Sequence, residues 1–123
     1  MQENPIVQYI LVNKEILDKK WPLGSVIAQA CHACVAVIAE NQEDQVVKEY
    51  LCAEKINNMH KVILRIEDTN EIKKLSTILE DACLKYKIWT EFPENIQTAV
   101  ALKPYYKDTV KEYLKKYPLL RKL

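Results

Sequence analysis

The stretch that decides the fold of this chain is Trp21-Pro22-Leu23-Gly24-Ser25-Val26-Ile27-Ala28-Gln29-Ala30-Cys31-His32-Ala33-Cys34-Val35-Ala36-Val37-Ile38-Ala39. From Ser25 to Ala39 almost every residue is apolar or small, and neither glycine nor proline interrupts the run. This run is too long for one strand and too short for a membrane span, so it predicts a helix. Because a helix that is apolar all round is normally a buried one, we expect this helix to be buried beside a sheet.

Gln29 and His32 are the two residues that interrupt the apolar run after Ser25. They are three residues apart and therefore share one face of the predicted helix. A buried polar group without a partner costs roughly 1–3 kcal/mol, so a buried amide or imidazole needs a partner. Both side chains are either satisfied inside the core or exposed in a cleft, and both alternatives remain open at this point.

Four residues of the stretch fit a known family pattern: Gly24, Gln29, His32 and Ala33. The pattern consists of a strand, a loop, Lys-Gly-Lys, a helix start of small residues and then Gln-x-x-His-Ala. On these residues the chain resembles the type II peptidyl-tRNA hydrolases. The later motifs that fit a divergent branch of that family are Pro93-Glu94-Asn95-Ile96-x-Thr98, Ala101-Leu102-x-Pro104-Tyr105 and Tyr113-Leu114-Lys115-Lys116. The resemblance therefore spans nearly the whole chain.

Two positions depart from the family pattern. Leu23 stands where the family has a functional lysine, and Glu91 is the nearest counterpart of the family's aspartate. The loop that follows this aspartate is also shorter in this chain. The catalytic set that the resemblance implies is therefore incomplete.

The reaction that the resemblance implies is hydrolysis of the ester bond between a peptide and the 3′ end of tRNA. Such a reaction needs a base for water and donors for the developing oxyanion. The catalytic residues are then His32 as the base, Gln29 to orient water or substrate, and Glu91 to orient His32 or replace the aspartate. The backbone amides at Gly24 and Ser25 would hold the oxyanion or a phosphate. The alternative for His32 is a satisfied core histidine.

Basic and aromatic residues mark candidate contacts with tRNA. From Lys103 to Leu123 there are seven basic and two acidic residues, a net charge of +5 in a chain whose overall charge is +1. The predicted substrate-binding residues are Trp21, Gly24, Ser25, Asn95, Thr98, Lys111 and Lys115. Candidates for stacking on unpaired bases at the tRNA acceptor end are Trp21, Trp89, Tyr105 and Tyr106. The alternatives are a solvated helix face for the lysines and core or loop packing for the aromatic rings.

Length and composition indicate one folded domain over residues 1–123. Of the 123 residues, 49% are hydrophobic and 28% charged, and a single glycine argues against a disordered chain. The sequence shows neither a signal peptide nor a membrane-spanning run, so we expect a cytoplasmic protein that acts without a membrane. We expect no cofactor, and we allow for a homodimer.

Cys31 and Cys34 form a C-x-x-C sequence, which is typical of zinc or redox sites. Zinc fingers and ribbons usually supply a second pair of ligands, and the sequence shows none. A redox pair normally lies at a helix N-terminus, whereas this pair lies two turns inside the predicted helix. We therefore interpret both residues as small apolar side chains in the helix packing and predict no metal site.

The remaining segments alternate between strand and helix patterns. Strands are predicted at 7–12, 61–66, 88–91 and 97–102, and helices at 25–40, 43–51, 70–85 and 108–116. The order βααβαββα predicts an α/β fold, and the resemblance implies a three-layer α/β/α arrangement with a four-stranded mixed sheet. Because the turn at Pro93 is too short for a crossover, the third and fourth strands should be antiparallel.

Two functions are compatible with these observations. The retained Gln29 and His32 favour a peptidyl-tRNA hydrolase of a divergent branch. Leu23 favours the alternative, a non-catalytic domain that kept the hydrolase fold and binds RNA or another protein. Incubation of the purified protein with a peptidyl-tRNA would separate the two.

Overall fold

The computed structural model describes residues 4–122 and has helices on both faces of a mixed sheet. Within these residues the strands are β1 (Ile6–Asn13), β2 (His60–Ile66), β3 (Tyr86–Glu91), β4 (Ile96–Leu102) and β5 (Tyr105–Tyr106). The helices are α1 (Lys14–Asp18), α2 (Leu23–Ala39), α3 (Gln45–Leu51), α4 (Thr69–Asp81) and α5 (Lys107–Leu114), with a 3₁₀ turn at Ile56–Asn58. The predicted α/β class with a core of four strands is confirmed.

The four long strands lie in the order β2-β1-β4-β3. β1 and β2 are parallel, whereas β4 is antiparallel to both β1 and β3. The antiparallel arrangement of the third and fourth strands is therefore confirmed, and these strands are direct neighbours. All eight residues of β1 are buried, as expected for a central strand that is covered on both faces.

Alternating side chains of the strands pack on opposite faces of the sheet. On one face, Leu11 of β1 and Val100 of β4 pack with apolar side chains of α4 and α5. The helix residues of this core are Ile72, Leu75, Leu79, Val110 and Leu114. On the other face, Ile10 and Ala101 pack against Ala33 and Val37 of α2. The helices therefore form one layer on each face of the sheet.

The prediction that the first long helix is buried beside the sheet holds for only one side of the helix. The buried residues of α2 are Val26, Gln29, Ala33 and Val37. In contrast, Leu23, Ile27 and Val35 are 54%, 56% and 66% exposed. The physical reason is geometric, because the sheet contacts only one side of this helix and its outer side faces solvent. Apolar composition here does not indicate burial.

Three short elements were not predicted. The polar segment before Trp21 contains α1, which Asn13 caps by accepting a hydrogen bond from the backbone N–H of Glu15 and which buries Ile16. β5 pairs with the start of β1 after an interruption at Pro104. Near the C-terminus, the N–H of Leu120 donates to the Ile63 carbonyl at 3.0 Å, so this segment pairs with the edge strand β2. None of the helices in residues 4–122 is long and apolar enough to cross a membrane.

Candidate functional site

The candidate site lies beside the junction between β1 and α2. β1 ends at Asn13, α1 and a loop follow, and α2 begins at Leu23. Polar and aromatic side chains from α2, β3 and β4 come together on the α2 face of the sheet. These side chains are Gln29, His32, Trp89, Glu91 and Thr98.

Gln29 is buried and bonded on both sides of its amide. It is 2% exposed, and its Oε1 accepts a hydrogen bond from the Thr98 hydroxyl at 2.8 Å. Its Nε2 donates to the Ser25 carbonyl at 3.1 Å, one helical turn earlier. Of the two alternatives, a side chain satisfied in the core or one exposed in a cleft, Gln29 is therefore the first. The amide connects α2 to β4 through its hydrogen bond with Thr98.

A β-bulge explains why Thr98 faces α2. Trp89 pairs with Ala99 and Thr90 pairs with Gln97, so Thr98 is an extra residue without a partner in β3. Strict alternation would place Thr98 on the same face as Val100, which packs toward α4 and α5. Bulges redirect side chains in this way and are frequent next to active sites. The sequence carried no signal for this bulge.

His32 and Trp89 form a stacked pair of rings. Their centroids are 4.6 Å apart and their planes differ by 22°. His32 is exposed and Trp89 is half-buried, so the imidazole lies on the solvent side of the indole. The indole Nε1–H donates to Glu91 Oε1 at 3.0 Å. Glu91 is therefore connected to His32 through Trp89 rather than through a direct hydrogen bond.

The backbone at the start of α2 is open to solvent at Gly24. A Cβ added at Gly24 would meet nothing within 4 Å. Pro22 precedes the helix and supplies no side-chain cap to the first-turn N–H groups. Such N–H groups attract anions and oxyanions. Lys19 and Lys20 lie exposed in the loop before the helix, whereas Leu23 carries no charge.

Trp21 and Asn95 have structural explanations. Trp21 is half-buried and packs against the small core formed by Val12, Ile16 and Val26. Asn95 is exposed in the turn between β3 and β4 and has a φ of 57°. Asparagine is one of the few residues that adopt this left-handed conformation readily. Their contacts with a substrate stay predictions.

The structure does not bring Lys111 and Lys115 to His32. Lys111 lies on α5 and Lys115 is the C-cap residue of that helix, in the layer on the opposite face of the sheet from α2. Lys111 pairs with Asp108 at 3.1 Å and Lys115 pairs with Glu112 at 2.8 Å, both on the exposed side of the helix. These acidic partners reduce the local positive charge. A role for both lysines in tRNA binding stays a prediction.

Lys103 also belongs to the basic segment, but it is 4% exposed. It pairs with Asp44 at 3.3 Å, and its Nζ lies 3.6 Å from the centroid of the Tyr105 ring. Burial lowers the pKa of Lys103, although the Asp44 carboxylate opposes this effect. Tyr105 accepts a hydrogen bond from the Lys85 N–H, and Tyr106 donates to Glu49 at 2.8 Å. These contacts fit the packing interpretation of both tyrosines.

The cysteines of α2 differ in exposure. Cys31 is exposed, whereas Cys34 is half-buried and its thiol donates to Gln8 Oε1 at 3.0 Å. Cys34 also packs against the core around Ala33, in agreement with its interpretation as a packing residue, whereas the exposed Cys31 does not fit that interpretation. Residues 4–122 contain no group of three or more histidine, cysteine, aspartate or glutamate side chains placed to hold a metal ion.

Comparison with known proteins defines the class to which this fold and site belong. A family model described as "Peptidyl-tRNA hydrolase PTH2" matches residues 6–120. The chain therefore belongs to the PTH2 family of peptidyl-tRNA hydrolases, and the resemblance stated from the sequence is confirmed. Among curated proteins, "Putative peptidyl-tRNA hydrolase PTRHD1" of Homo sapiens is 36% identical over 118 residues, which cover 94% of this chain and 83% of the relative. The protein of the same name from Mus musculus gives the same values.

Proposed function

We propose that this protein hydrolyses the ester bond between a peptide and the 3′ end of tRNA, at a site centred on His32. The observation that carries the proposal is the position of His32 in the family's motif. Its imidazole is exposed on the face of α2 next to β3. In the chain, His32 follows by three residues the buried Gln29, which is hydrogen-bonded to Thr98. The proposed setting is a single cytoplasmic domain that acts on peptidyl-tRNA without a cofactor, and a homodimer stays a prediction.

The proposed chemistry assigns one role to each group. The His32 imidazole takes a proton from the water that attacks the ester carbonyl. The free N–H groups around Gly24 and Ser25 donate to the oxyanion. Glu91 holds Trp89, and Trp89 holds the imidazole plane. Gln29 fixes the position of the helix that carries His32.

Leu23 makes the proposed enzyme slow. It is exposed at the start of α2 and supplies no positive charge where the family pattern has a lysine. A charged hydrogen bond is worth about 1.5–3 kcal/mol, which corresponds to about a ten- to hundredfold change in rate if it acts only on the transition state. We therefore expect activity that is weak but above the uncatalysed rate.

The test is hydrolysis of a peptidyl-tRNA by the purified protein. Leu23→Lys should raise kcat/KM about ten- to hundredfold. His32→Ala should abolish the rate in both backgrounds, with folding checked by circular dichroism. His60→Ala is the matched control, because His60 is the other histidine of the chain and is exposed at the start of β2. Equal inertness of the wild type and Leu23→Lys would rule out the catalytic proposal.

A groove that runs from the start of α2 toward the edge strand β2 favours the non-catalytic alternative. Its volume is about 380 Å³, and nearly all of its lining is apolar, with contributions from Leu23, Ile27, Ile63 and Leu120. Exposed apolar surface of this kind suits a binding partner. If the wild type and Leu23→Lys bind tRNA but do not hydrolyse the ester, the chain is a binding domain that kept the hydrolase fold.

A further inference from the structure

We propose that the outer face of His32, supported from behind by Trp89, is the stacking platform for the base of the 3′-terminal nucleotide of tRNA. This inference rests on the proposed function, because it states how that site holds its substrate. It assigns the face of the imidazole to binding and leaves the ring nitrogens at its edge for the chemistry.

The order of the rings supports this assignment. Trp89 is half-buried and packs against the core formed by Ala33 and its neighbours, so one side of the indole faces the protein. His32 lies over the other side at 4.6 Å and is exposed. The stacking candidate at this place is therefore His32 rather than Trp89, since the imidazole already occupies the outward face of the indole.

The imidazole is held although it is on the surface. The stack fixes its plane, and the hydrogen bond from the indole to Glu91 fixes the stack. An exposed ring that is held in one orientation loses little entropy when a ligand packs on it. The pair is thus preorganised to receive a third flat ring.

Exposed aromatic side chains are the usual means by which proteins hold unpaired bases. The exposed face of His32 therefore suits an unpaired nucleotide better than a double helix.

The chemistry of the substrate explains why the terminal base belongs on His32. The 3′ end of tRNA is unpaired, and its last nucleotide carries the ester. A base stacked on the face of His32 brings its own ribose, and therefore the ester, to the edge of the imidazole. One histidine can then position the substrate and serve the reaction.

The experiment measures binding of deacylated tRNA, which contains no ester, with and without its terminal nucleotide. For the wild type, removal of that nucleotide should weaken binding about 5- to 150-fold, the range for loss of one base–aromatic stack. His32→Ala should weaken binding of intact tRNA to the same degree and should not respond to the removal. His32→Phe keeps a flat ring without nitrogens, so it should bind like the wild type. His60→Ala should have no effect.

Two results would overturn the inference. One is equal affinity of the wild type for intact and shortened tRNA, which needs no variant and so does not depend on the folding of any. The other is a His32→Phe protein that is folded by circular dichroism and binds as weakly as His32→Ala. Failure of the proposed hydrolysis would appear separately, as an inert wild type that still distinguishes the two tRNAs.

Discussion

The relation between the polarity of a residue and its burial differs between the two helical layers of this protein. In α4, on one face of the sheet, the fully buried residues are Ile72, Leu75 and Leu79, and the exposed positions are mostly polar. In α2, on the other face, the amide of Gln29 is buried while Leu23 and Ile27 are exposed. Polarity therefore predicts burial in the α4 layer and fails to predict it in the α2 layer.

This difference separates stability from function. Proteins tend to break local rules where a site requires it, and the exceptions here gather on one helix. The α4 layer contributes to the free energy of unfolding, whereas the α2 layer also carries the candidate site. Substitutions in α4 should change stability alone, and substitutions in α2 should change stability and activity independently.

The largest expected effect is in the α4 layer. Leu75→Ala removes a fully buried side chain and should lower the free energy of unfolding by about 2–5 kcal/mol, measured by urea denaturation. Hydrolysis and tRNA binding per folded molecule should not change. The matched control is Ile78→Ala, one turn away and 41% exposed, which should change stability by about 0.5 kcal/mol or less. Equal effects of the two substitutions would contradict the assigned packing of α4.

The next largest effect on the free energy of unfolding concerns the hydrogen bond that connects α2 to β4. Gln29→Ala leaves the buried Thr98 hydroxyl with only the Trp89 carbonyl, at 3.5 Å, as an acceptor, and should cost about 1–3 kcal/mol of unfolding free energy. Replacing both partners by apolar residues, as in Gln29→Leu with Thr98→Val, should cost less unfolding free energy than the sum of the costs of Gln29→Leu alone and Thr98→Val alone. A double-mutant cycle in urea measures this coupling. Strict additivity would show that the two side chains do not interact.

The smallest effect is a pH dependence that links the two layers. Glu15, in α1 before the site, accepts hydrogen bonds from the Thr69 hydroxyl at 2.8 Å and the Thr69 N–H at 2.7 Å, at the start of α4. The hydroxyl first and then the N–H hold the pKa of Glu15 below its ordinary value of 4.5. A lowered carboxyl pKa adds stability above pH 4.5, and this contribution is lost as the pH falls through the lowered pKa.

Urea denaturation at pH 7 and at acidic pH tests this link. Glu15→Gln should reduce the loss of stability on acidification by less than about 1 kcal/mol, because the carboxylate is partly exposed. Glu94→Gln, on an exposed turn residue of the same charge, is the control. An identical pH dependence of Glu15→Gln and the wild type would show that Thr69 does not hold the carboxylate.

The predictable part of the fold depends on local patterns. The apolar spacing of Ile72, Leu75 and Leu79 identifies α4, and the apolar run of β1 identifies a central strand, because both signals lie within one segment. The stack of His32 on Trp89 joins residues that are distant in sequence. The bulge at Thr98 and the pairing of Leu120 with β2 also depend on neighbouring strands. Such features come from tertiary packing, so the sequence identified Gln29 and His32 but not their partners.

The most direct test of the site on α2 is the single-turnover rate of ester hydrolysis by His32→Phe, measured with the protein in excess over peptidyl-tRNA and above its Kd. The phenyl ring preserves the stack on Trp89 and removes the nitrogens that accept the proton. We predict that the rate falls at least about 100-fold from the wild-type value while tRNA affinity is retained. A His32→Phe protein that hydrolyses the ester as fast as the wild type would contradict the assignment of the chemistry to His32.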